Sequence, residues 1–329
     1  MHIFKNQVSD KNFVFILLSC FLSFSLLFIF LVNILIDPFN EYRLFSNRSY
    51  RSSISTAFPL FDKLNNDTKY TLVFGTSTSA SIDEKCVNDS VLNFSLSLYG
   101  EPERIYKALS SLTQRHLSNI NKIYYAFEYN CFHDNEVTDA DLVFSSKYDF
   151  FLTTILNIQK PKITASLDRI AKAITGSSDS YIDEFGVYRQ TKHRDFFPII
   201  YNDRVVFTHG DRQMYYLSKL SHFAKNHHID LVVFRTVVSD YFLKHAYINS
   251  IQEQYSKVIS ATSSFYSLLW LDGISTDLSS FRDPIHPSYD SVVRQMAILN
   301  SSNSDVFLIK QNNLNSYMNS IRDKLNHAI

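Results

Sequence analysis

The sequence feature that most constrains the fold is the stretch from Tyr70 to Ser79, where a short apolar run ends abruptly in Gly75-Thr76-Ser77. Residues 70–74 are β-branched and aromatic, which predicts a buried strand. A glycine directly after such a strand permits a sharp turn, and the hydroxyl residues behind it stand where a helix would begin. This stretch alone favours a helix cap for Ser77 or Ser79. The competing interpretation is a reactive serine at the carboxyl edge of a sheet, near backbone N–H groups that can stabilise an oxyanion.

Short apolar runs alternate with helical patterns along most of the chain. The predicted strands are residues 70–74, 91–96, 122–129, 229–234 and 267–271, with a further strand-like run at 306–309. The predicted helices are residues 103–116, 163–174, 212–226 and 251–263, followed by a helix that begins near Ser288 or Tyr289. This alternation predicts an α/β fold with a central parallel sheet. Residues 131–210 interrupt the rhythm and are predicted to form an inserted lid or binding surface, although packing accounts for most of their aromatic side chains.

Residues 13–36 form an apolar run without a charged residue. At about 1.5 Å per helical residue the run is about 36 Å long, which is enough to cross a hydrocarbon core of about 30 Å. Asp37-Pro38 ends the helix, and no small-residue cleavage site is present, so we expect an uncleaved transmembrane anchor. Lysines precede the run and arginines follow it, so the positive-inside rule does not decide its orientation. The predicted organisation is a tail at 1–12, the anchor at 13–36, a connector at 37–69, a domain at 70–300 and an extension at 301–329.

Charge and cysteine content narrow the classes of function. Lysine plus arginine and aspartate plus glutamate both number 32, and no basic cluster is present, so the charge pattern gives no support to nucleic-acid binding. Of the three cysteines, Cys20 lies in the apolar run, which leaves Cys86–Cys131 as the one available disulfide. We favour two buried free thiols over that disulfide, and the cysteine spacing matches no metal site.

The second informative stretch is Asp283-Pro284-Ile285-His286. An aspartate and a histidine three apart in a proline-stiffened loop can place the carboxylate beside one imidazole nitrogen while the other nitrogen faces a cleft. In a hydrolytic triad the carboxylate fixes the imidazole tautomer and stabilises the imidazolium. A metal role is the alternative, but no second cluster of ligand residues accompanies the pair. The pair alone is a weak signal, because long chains often contain it by chance.

The order of the two stretches resembles the SGNH (GDSL-like) hydrolase superfamily. In that family a Gly-x-Ser turn follows the first strand, and an Asp-x-x-His motif follows the last. Gly75-Thr76-Ser77 resembles the first block, Gly100 the glycine block, and residues 283–286 the last block. The resemblance covers roughly residues 70–300 apart from the insertion. It implies a flavodoxin-like three-layer αβα sandwich.

The chain is similar, more narrowly, to membrane-anchored bacterial members of that superfamily. These members have a single N-terminal span that ends near Asp-Pro, as at Asp37-Pro38, and a Gly-Ser/Thr-Ser motif in place of Gly-Asp-Ser. They also have an Asn-x-Ser stretch that closes on a glycine, as in residues 93–100, and a Phe-x-Asp-x-x-His end, as in residues 281–286.

The resemblance implies a role for each matching residue. Ser77 would be the nucleophile, His286 the general base and Asp283 the group that orients His286. The backbone N–H groups of Ser77 and Gly100 would form part of an oxyanion hole, with the Asn130 side chain as a third donor.

The sequence departs from the family pattern in two blocks. Thr76 replaces the aspartate of the first block, and Glu128-Tyr129-Asn130 stands where the family has Gly-x-Asn-Asp. Asn130 is therefore the candidate for a donor whose block is only partly present. Ser79 and Ser81 are alternative nucleophiles.

The resemblance further implies an esterase or O-acyltransferase, commonly for acetyl groups, that acts on cell-envelope or exported polysaccharide through an acyl-enzyme and without a cofactor. The implied location is the bacterial inner membrane, with Phe13–Ile36 in the bilayer and the domain facing the periplasm or cell exterior. A transferase of this design would need a multi-span membrane partner that supplies acyl groups. The alternatives are a non-catalytic membrane-anchored scaffold for polysaccharide assembly that has kept the fold, and a lipid-acting esterase.

Overall fold

The structure is a computed structural model that describes residues 10–36, 57–97, 100–134, 180–190, 196–301 and 303–327, together with Leu167 and Ala171. Most of the predicted connector, most of the predicted helix at 163–174 and much of the insertion lie outside these residues. The domain boundaries drawn from the sequence stay predictions.

A six-stranded sheet forms the centre of the described fold, in the order β2-β1-β3-β6-β7-β10. The strands are β1 Tyr70–Phe74, β2 Val91–Asn93, β3 Ile120–Phe127, β4 Ser180–Ile182, β5 Tyr188–Gln190, β6 Asp230–Arg235, β7 Phe265–Ser267, β8 Phe281–Asp283, β9 His286–Pro287 and β10 Leu308–Ile309. Within the sheet, β10 pairs antiparallel with β7 and the other neighbours are parallel. The pairs β4–β5 and β8–β9 are separate antiparallel hairpins.

Helices connect and cover these strands. They are α1 Asp10–Ile36, α2 Ala57–Asp62, α3 Glu84–Val87, α4 Pro102–Ser110, α5 Gln114–Ser118, α6 Asp211–Asn226, α7 Asp240–His245, α8 Ile248–Thr262, α9 Tyr289–Leu299 and α10 Leu314–His327. Short 3-10 turns occupy Lys63–Asn65, Leu278–Ser280 and Ser304–Phe307.

Both faces of the sheet are covered by packed side chains. Neighbouring residues of a strand point to opposite faces of the sheet, so each strand contributes to both. Leu72 and Phe74 of β1 belong to one buried hydrophobic cluster, and Val73 between them belongs to a second. Apolar residues of α4, α6 and α8 complete the first cluster, and those of α9 contribute to the second. The arrangement is compatible with a three-layer sandwich. The predicted α/β class with a central, mostly parallel sheet is confirmed.

The predicted helix at 103–116 is wrong as a single element, since the chain forms α4 and α5 instead. The side chain of Thr113 accepts a hydrogen bond from the backbone N–H of His116 and begins a new helix. A threonine hydroxyl that binds nearby backbone in this way competes with continuation of the preceding helix.

The predicted strands other than 70–74 have different bounds in the structure: 122–129 is Ile120–Phe127, 229–234 is Asp230–Arg235 and 306–309 is Leu308–Ile309. The remaining two differ for local reasons. The strand at 91–96 stops at Asn93, whose side-chain oxygen accepts from the N–H of Ser95 and turns the chain. The strand at 267–271 is instead Phe265–Ser267, and the apolar residues after it are buried without joining the ladder. The residues after Ser267 are apolar because they are buried in the core, not because they form a strand. An apolar run by itself therefore did not show where the strand lies.

The cysteines are free thiols, as the favoured interpretation held, and the Cys86–Cys131 disulfide is wrong. Cys131 belongs to the first hydrophobic cluster and Cys86 to the second, so the two lie on opposite faces of the sheet. Burial raises the pKa of each thiol to about 12, which leaves both thiols protonated at neutral pH.

The helix α1 contains the predicted anchor. Within the residues described, no helix is both long enough and apolar enough to cross a membrane. The anchor stays a prediction.

Candidate active site

Ser77 lies in a series of tight turns that follow β1. The backbone N–H of Ser79 donates to the carbonyl of Thr76, and that of Ile82 donates to the carbonyl of Ser79. Gly75 makes the first turn possible, because a Cβ there would stand 2.2 Å from Ser79 Oγ and 2.8 Å from the carbonyl oxygen of Ala126. The turn leaves the Ser77 side chain exposed at the carboxyl edge of the sheet.

Asn93, at the end of β2, holds this turn in place through side-chain hydrogen bonds. Its buried side-chain amide donates to the carbonyls of Ser79, Ala80 and Ile82, at 3.0, 3.2 and 3.0 Å. A buried amide with several satisfied bonds holds its partners in one arrangement. Ser77 is therefore presented on a braced loop rather than a free one.

The hairpin β8–β9 brings Asp283 and His286 together. The two residues are cross-strand partners on either side of Pro284-Ile285, which places their side chains side by side. The N–H and hydroxyl of Ser239, just beyond β6, both donate to the Pro284 carbonyl, at 3.1 and 2.7 Å. These bonds attach the hairpin to the same sheet edge that carries Ser77.

A continuous hydrogen-bonded line joins the three residues. Ser77 Oγ lies 2.6 Å from His286 Nε2, and His286 Nδ1 lies 2.7 and 2.9 Å from the two carboxylate oxygens of Asp283. These distances fit a serine that transfers its proton to an imidazole whose other nitrogen is held by a carboxylate.

The surroundings of Asp283 keep its carboxylate ionised. Burial alone would raise the pKa of Asp283, but hydrogen bonds from the His286 side chain, the charge of that imidazole and the N–H groups of Ile285 and His286 outweigh burial. The pKa therefore lies below its ordinary value of 3.8. An ionised carboxylate across neutral pH can stabilise an imidazolium formed on His286.

Neither Ser77 nor Ser79 caps a helix. The next helix, α3, begins only at Glu84, and the side chain of Asp83 caps it by accepting from the N–H groups of Lys85 and Cys86. Ser79 is buried and bonded to the Thr76 carbonyl and to Ser95 Oγ. In the described part of the chain, Ser77 is the hydroxyl residue that meets the imidazole of His286, and Ser79 and Ser81 do not.

Gly100 packs directly against residues 75–79, which we call the nucleophile turn after the role expected of Ser77. A Cβ on Gly100 would stand 2.9 Å from the carbonyl oxygen of Gly75, and the residue adopts a φ of 69°, which favours glycine. Among the residues that the structure describes, none accepts a hydrogen bond from the backbone N–H of Ser77 or of Gly100. Of the two residues, Ser77 lines the cleft over the triad, whereas Gly100 is buried behind the turn.

Asn130, the predicted third donor, is exposed in the turn after β3 and does not line the cleft at Ser77. The residue of that block that reaches the nucleophile turn is Glu128. Thr78, next to Ser77, and Thr236, after β6, both donate short hydrogen bonds to one oxygen of the buried Glu128 carboxylate.

Arg235 neutralises Glu128 from the end of the neighbouring strand. Its Nη1 lies 2.5 Å from the second carboxylate oxygen, and both side chains are buried. Sequence reasoning missed this pair. The available signal was a charge of opposite sign at the carboxyl end of two strongly apolar runs, β3 and β6. Phe127 and Arg235 are register partners in the sheet. Glu128 follows Phe127 directly, so its side chain starts close to that of Arg235.

A cleft of about 380 Å³ lies over Ser77. It is lined by Ser77, Ala80, Leu96, Tyr188, Phe197, Arg282, Asp283 and His286. Tyr188 comes from the hairpin β4–β5, which belongs to the predicted insertion. That part of the insertion lines the cleft, and its role as a binding surface stays a prediction. The aromatic cluster at 148–151 lies outside the described residues.

Backbone hydrogen bonds and ion pairs hold the hairpin β4–β5 against the residues that follow Ser77. The N–H of Tyr188 donates to the carbonyl of Ala80, and a Cβ on Gly186 would collide with the carbonyl oxygen of Asn93 at 2.0 Å. Arg189 pairs with Asp83 at 2.5 Å and with Asp183 at 2.8 Å. The hairpin is thus fixed against the nucleophile turn.

In the described ranges no group of three histidine, cysteine, aspartate or glutamate side chains is placed to hold a metal ion. Comparison of the chain with protein-family models, with curated proteins and with solved structures found no match.

Proposed function

We propose that this chain is a serine esterase or O-acyltransferase in which Ser77, His286 and Asp283 act as a triad. The single observation that carries the proposal is the contact of 2.6 Å between Ser77 Oγ and His286 Nε2, continued to the Asp283 carboxylate at 2.7 Å. A serine that meets an Asp–His pair from a distant part of the chain in this geometry is a candidate nucleophile with its base and orienting group.

The reaction would proceed through an acyl-enzyme. Ser77 Oγ attacks the ester carbonyl while His286 takes the hydroxyl proton, and the carbonyl oxygen becomes an oxyanion that the N–H groups of Ser77 and Gly100 can stabilise. The tetrahedral adduct then expels the alcohol, which receives the proton from His286. Water or a sugar hydroxyl next attacks the acyl carbonyl and gives its proton to His286. The second tetrahedral adduct then collapses, the bond to Ser77 Oγ breaks, and His286 returns that proton to Ser77 Oγ.

The topology supports a flavodoxin-like, SGNH-type fold for the domain. The five parallel strands run in the spatial order second, first, third, fourth, fifth, which is the flavodoxin-like order. Ligands in open α/β sheets bind at the carboxyl ends of the strands where this order reverses, between the first and third strands. Ser77 follows β1, and Glu128 follows β3, at that point.

The cleft supports an acylated glycan over a lipid as substrate. A lipid-acting esterase needs a large dry apolar groove beside the nucleophile. The lining at Ser77 instead combines two aromatic side chains with a guanidinium, the exposed Ser77 and the half-buried Asp283 and His286. Tyr188 and Phe197 offer flat apolar surfaces, as sugar rings require, while Arg282 and the hydroxyl of Tyr188 offer polar contacts.

The apolar helix α1 supports a membrane anchor. Its described large hydrophobic side chains are between 46% and 75% exposed and belong to neither hydrophobic cluster. The proposed location is the bacterial inner membrane with the domain outside the cytoplasm, near membrane-linked glycan. A multi-span membrane partner would supply acyl groups if the enzyme is a transferase. A reporter active only in the periplasm, fused after the last residue, is expected to be active; a silent fusion on folded protein would reverse the orientation.

Labelling with a fluorophosphonate tests the enzyme against the non-catalytic scaffold. The folded chain is expected to gain one covalent adduct, located on Ser77 by peptide mass spectrometry, because only an activated serine attacks the probe at an appreciable rate. Ser77→Ala should take up no probe. Ser81→Ala is the matched control and should label like the unmodified chain; absence of labelling on folded wild-type protein would favour the scaffold.

A further inference from the structure

Arg282 lies in the cleft directly beside the triad. It precedes Asp283 on β8, and its guanidinium carbon stands 5.2 Å from the centre of the Tyr188 ring. Across the described residues no carboxylate comes within ion-pair distance of this guanidinium, whereas Arg189, Arg212 and Arg235 each contact one. A positive charge thus faces the cleft without a counter-ion among the residues that the structure describes.

The neighbouring Asp283 forms no ion pair with this guanidinium. Its carboxylate accepts from His286 Nδ1 and from the N–H groups of Ile285 and His286, so its oxygens are already engaged. The group that an incoming molecule meets is therefore the guanidinium.

The guanidinium lies over the Tyr188 ring, and its N–H groups donate to no described residue. An arginine held over an aromatic face keeps its planar fork of donors in a fixed orientation. That fork matches a carboxylate or a phosphate, which can accept two parallel hydrogen bonds. Phe197, 71% exposed and bonded through its backbone N–H to the Arg282 carbonyl, adds an apolar surface for the ring that carries the acid group.

We infer that Arg282 forms an anion subsite and that the substrate is an acylated sugar bearing an acidic group, carboxylate or phosphate, close to the ester. The inference rests on the proposed function for the position of the ester at Ser77. It gives the substrate class: acidic rather than neutral glycan.

Binding to the full chain carrying Ser77→Ala tests the inference without turnover. The ligands are an acetylated methyl glucuronoside, the matching acetylated methyl glucoside and its 6-phosphate, titrated by ligand-observed NMR. An acidic sugar is expected to bind roughly 10- to 100-fold more tightly than the neutral one, as charge-assisted hydrogen bonds allow. Preference for the uronate identifies a carboxylate, and preference for the phosphate identifies a phosphate. Equal binding of all three sugars would overturn the inference.

Arg282→Gln in the same background keeps a polar side chain and removes the charge. The ratio of acidic to neutral affinity is expected to collapse towards one. Arg294→Gln, an exposed arginine of α9 outside the cleft lining, is the matched control and should keep the ratio. An unchanged ratio in Arg282→Gln would refute the subsite. A failure of the proposed function shows separately, as absence of fluorophosphonate labelling at Ser77.

Discussion

Replacing Ser77 with alanine is expected to lower kcat for hydrolysis of an activated acetyl ester by roughly 10⁴- to 10⁶-fold. The substitution removes the atom that forms the acyl-enzyme, so any residual rate comes from water attack in the cleft. His286→Ala should cost a similar factor, because Ser77 would then lose its proton acceptor at 2.6 Å. The double variant should be little worse than either single variant, since the two residues act as one unit.

Folding has to be measured alongside these rates. Ser77 is exposed, so its loss should leave the thermal unfolding midpoint within a few degrees of the parent. Ser81→Ala is again the control and should keep kcat within about twofold of the parent, as for a surface residue outside the machinery. Turnover retained in well-folded Ser77→Ala or His286→Ala would refute the triad.

Replacing Arg235 with methionine is expected to lower the free energy of unfolding by about 3–5 kcal/mol. The change leaves the Glu128 carboxylate buried without its counter-charge, and Glu128 holds Thr78 beside the nucleophile. Unfolding in urea, followed by circular dichroism, measures the loss as a lower midpoint at similar slope. A loss under about 1 kcal/mol would show that the pair is not a dry buried pair.

Two variants separate burial from mere charge loss. Adding Glu128→Gln to Arg235→Met removes the orphaned charge while keeping an acceptor for Thr78 and Thr236, so much of the lost stability should return. Arg115→Met removes one partner of an exposed ion pair with Asp67, at 3.9 Å, and should cost no more than about 1 kcal/mol. A double variant as unstable as Arg235→Met alone would contradict the account.

The parts of the site that were predictable are local in sequence. A buried strand, a glycine and a serine follow one another along the chain, and the proximity of Asp283 to His286 follows from a tight turn between them. The strand run from Tyr70 to Phe74 was located to the residue, because burial on both faces gives an uninterrupted apolar segment.

The parts that were missed depend on what the sheet brings together. Asn130 was chosen by position in a motif, but the side chain of that block that reaches Thr78 belongs to Glu128, the first residue after β3. The sequence of residues 128–130 does not indicate that the Glu128 carboxylate pairs with Arg235. That knowledge requires the pairing of β3 with β6, which a single sequence does not display.

The dispersal of the site along the chain has a consequence for biosynthesis. Ser77 and its imidazole are 209 residues apart, and the hairpin that braces the turn pairs with Asp83 across 106 residues. Synthesis has therefore to pass residue 286 before the Ser77 hydroxyl can meet the imidazole. Until then Ser77 is an ordinary alcohol, and under the proposed function its reactivity towards esters would begin only once the hairpin that carries His286 has docked.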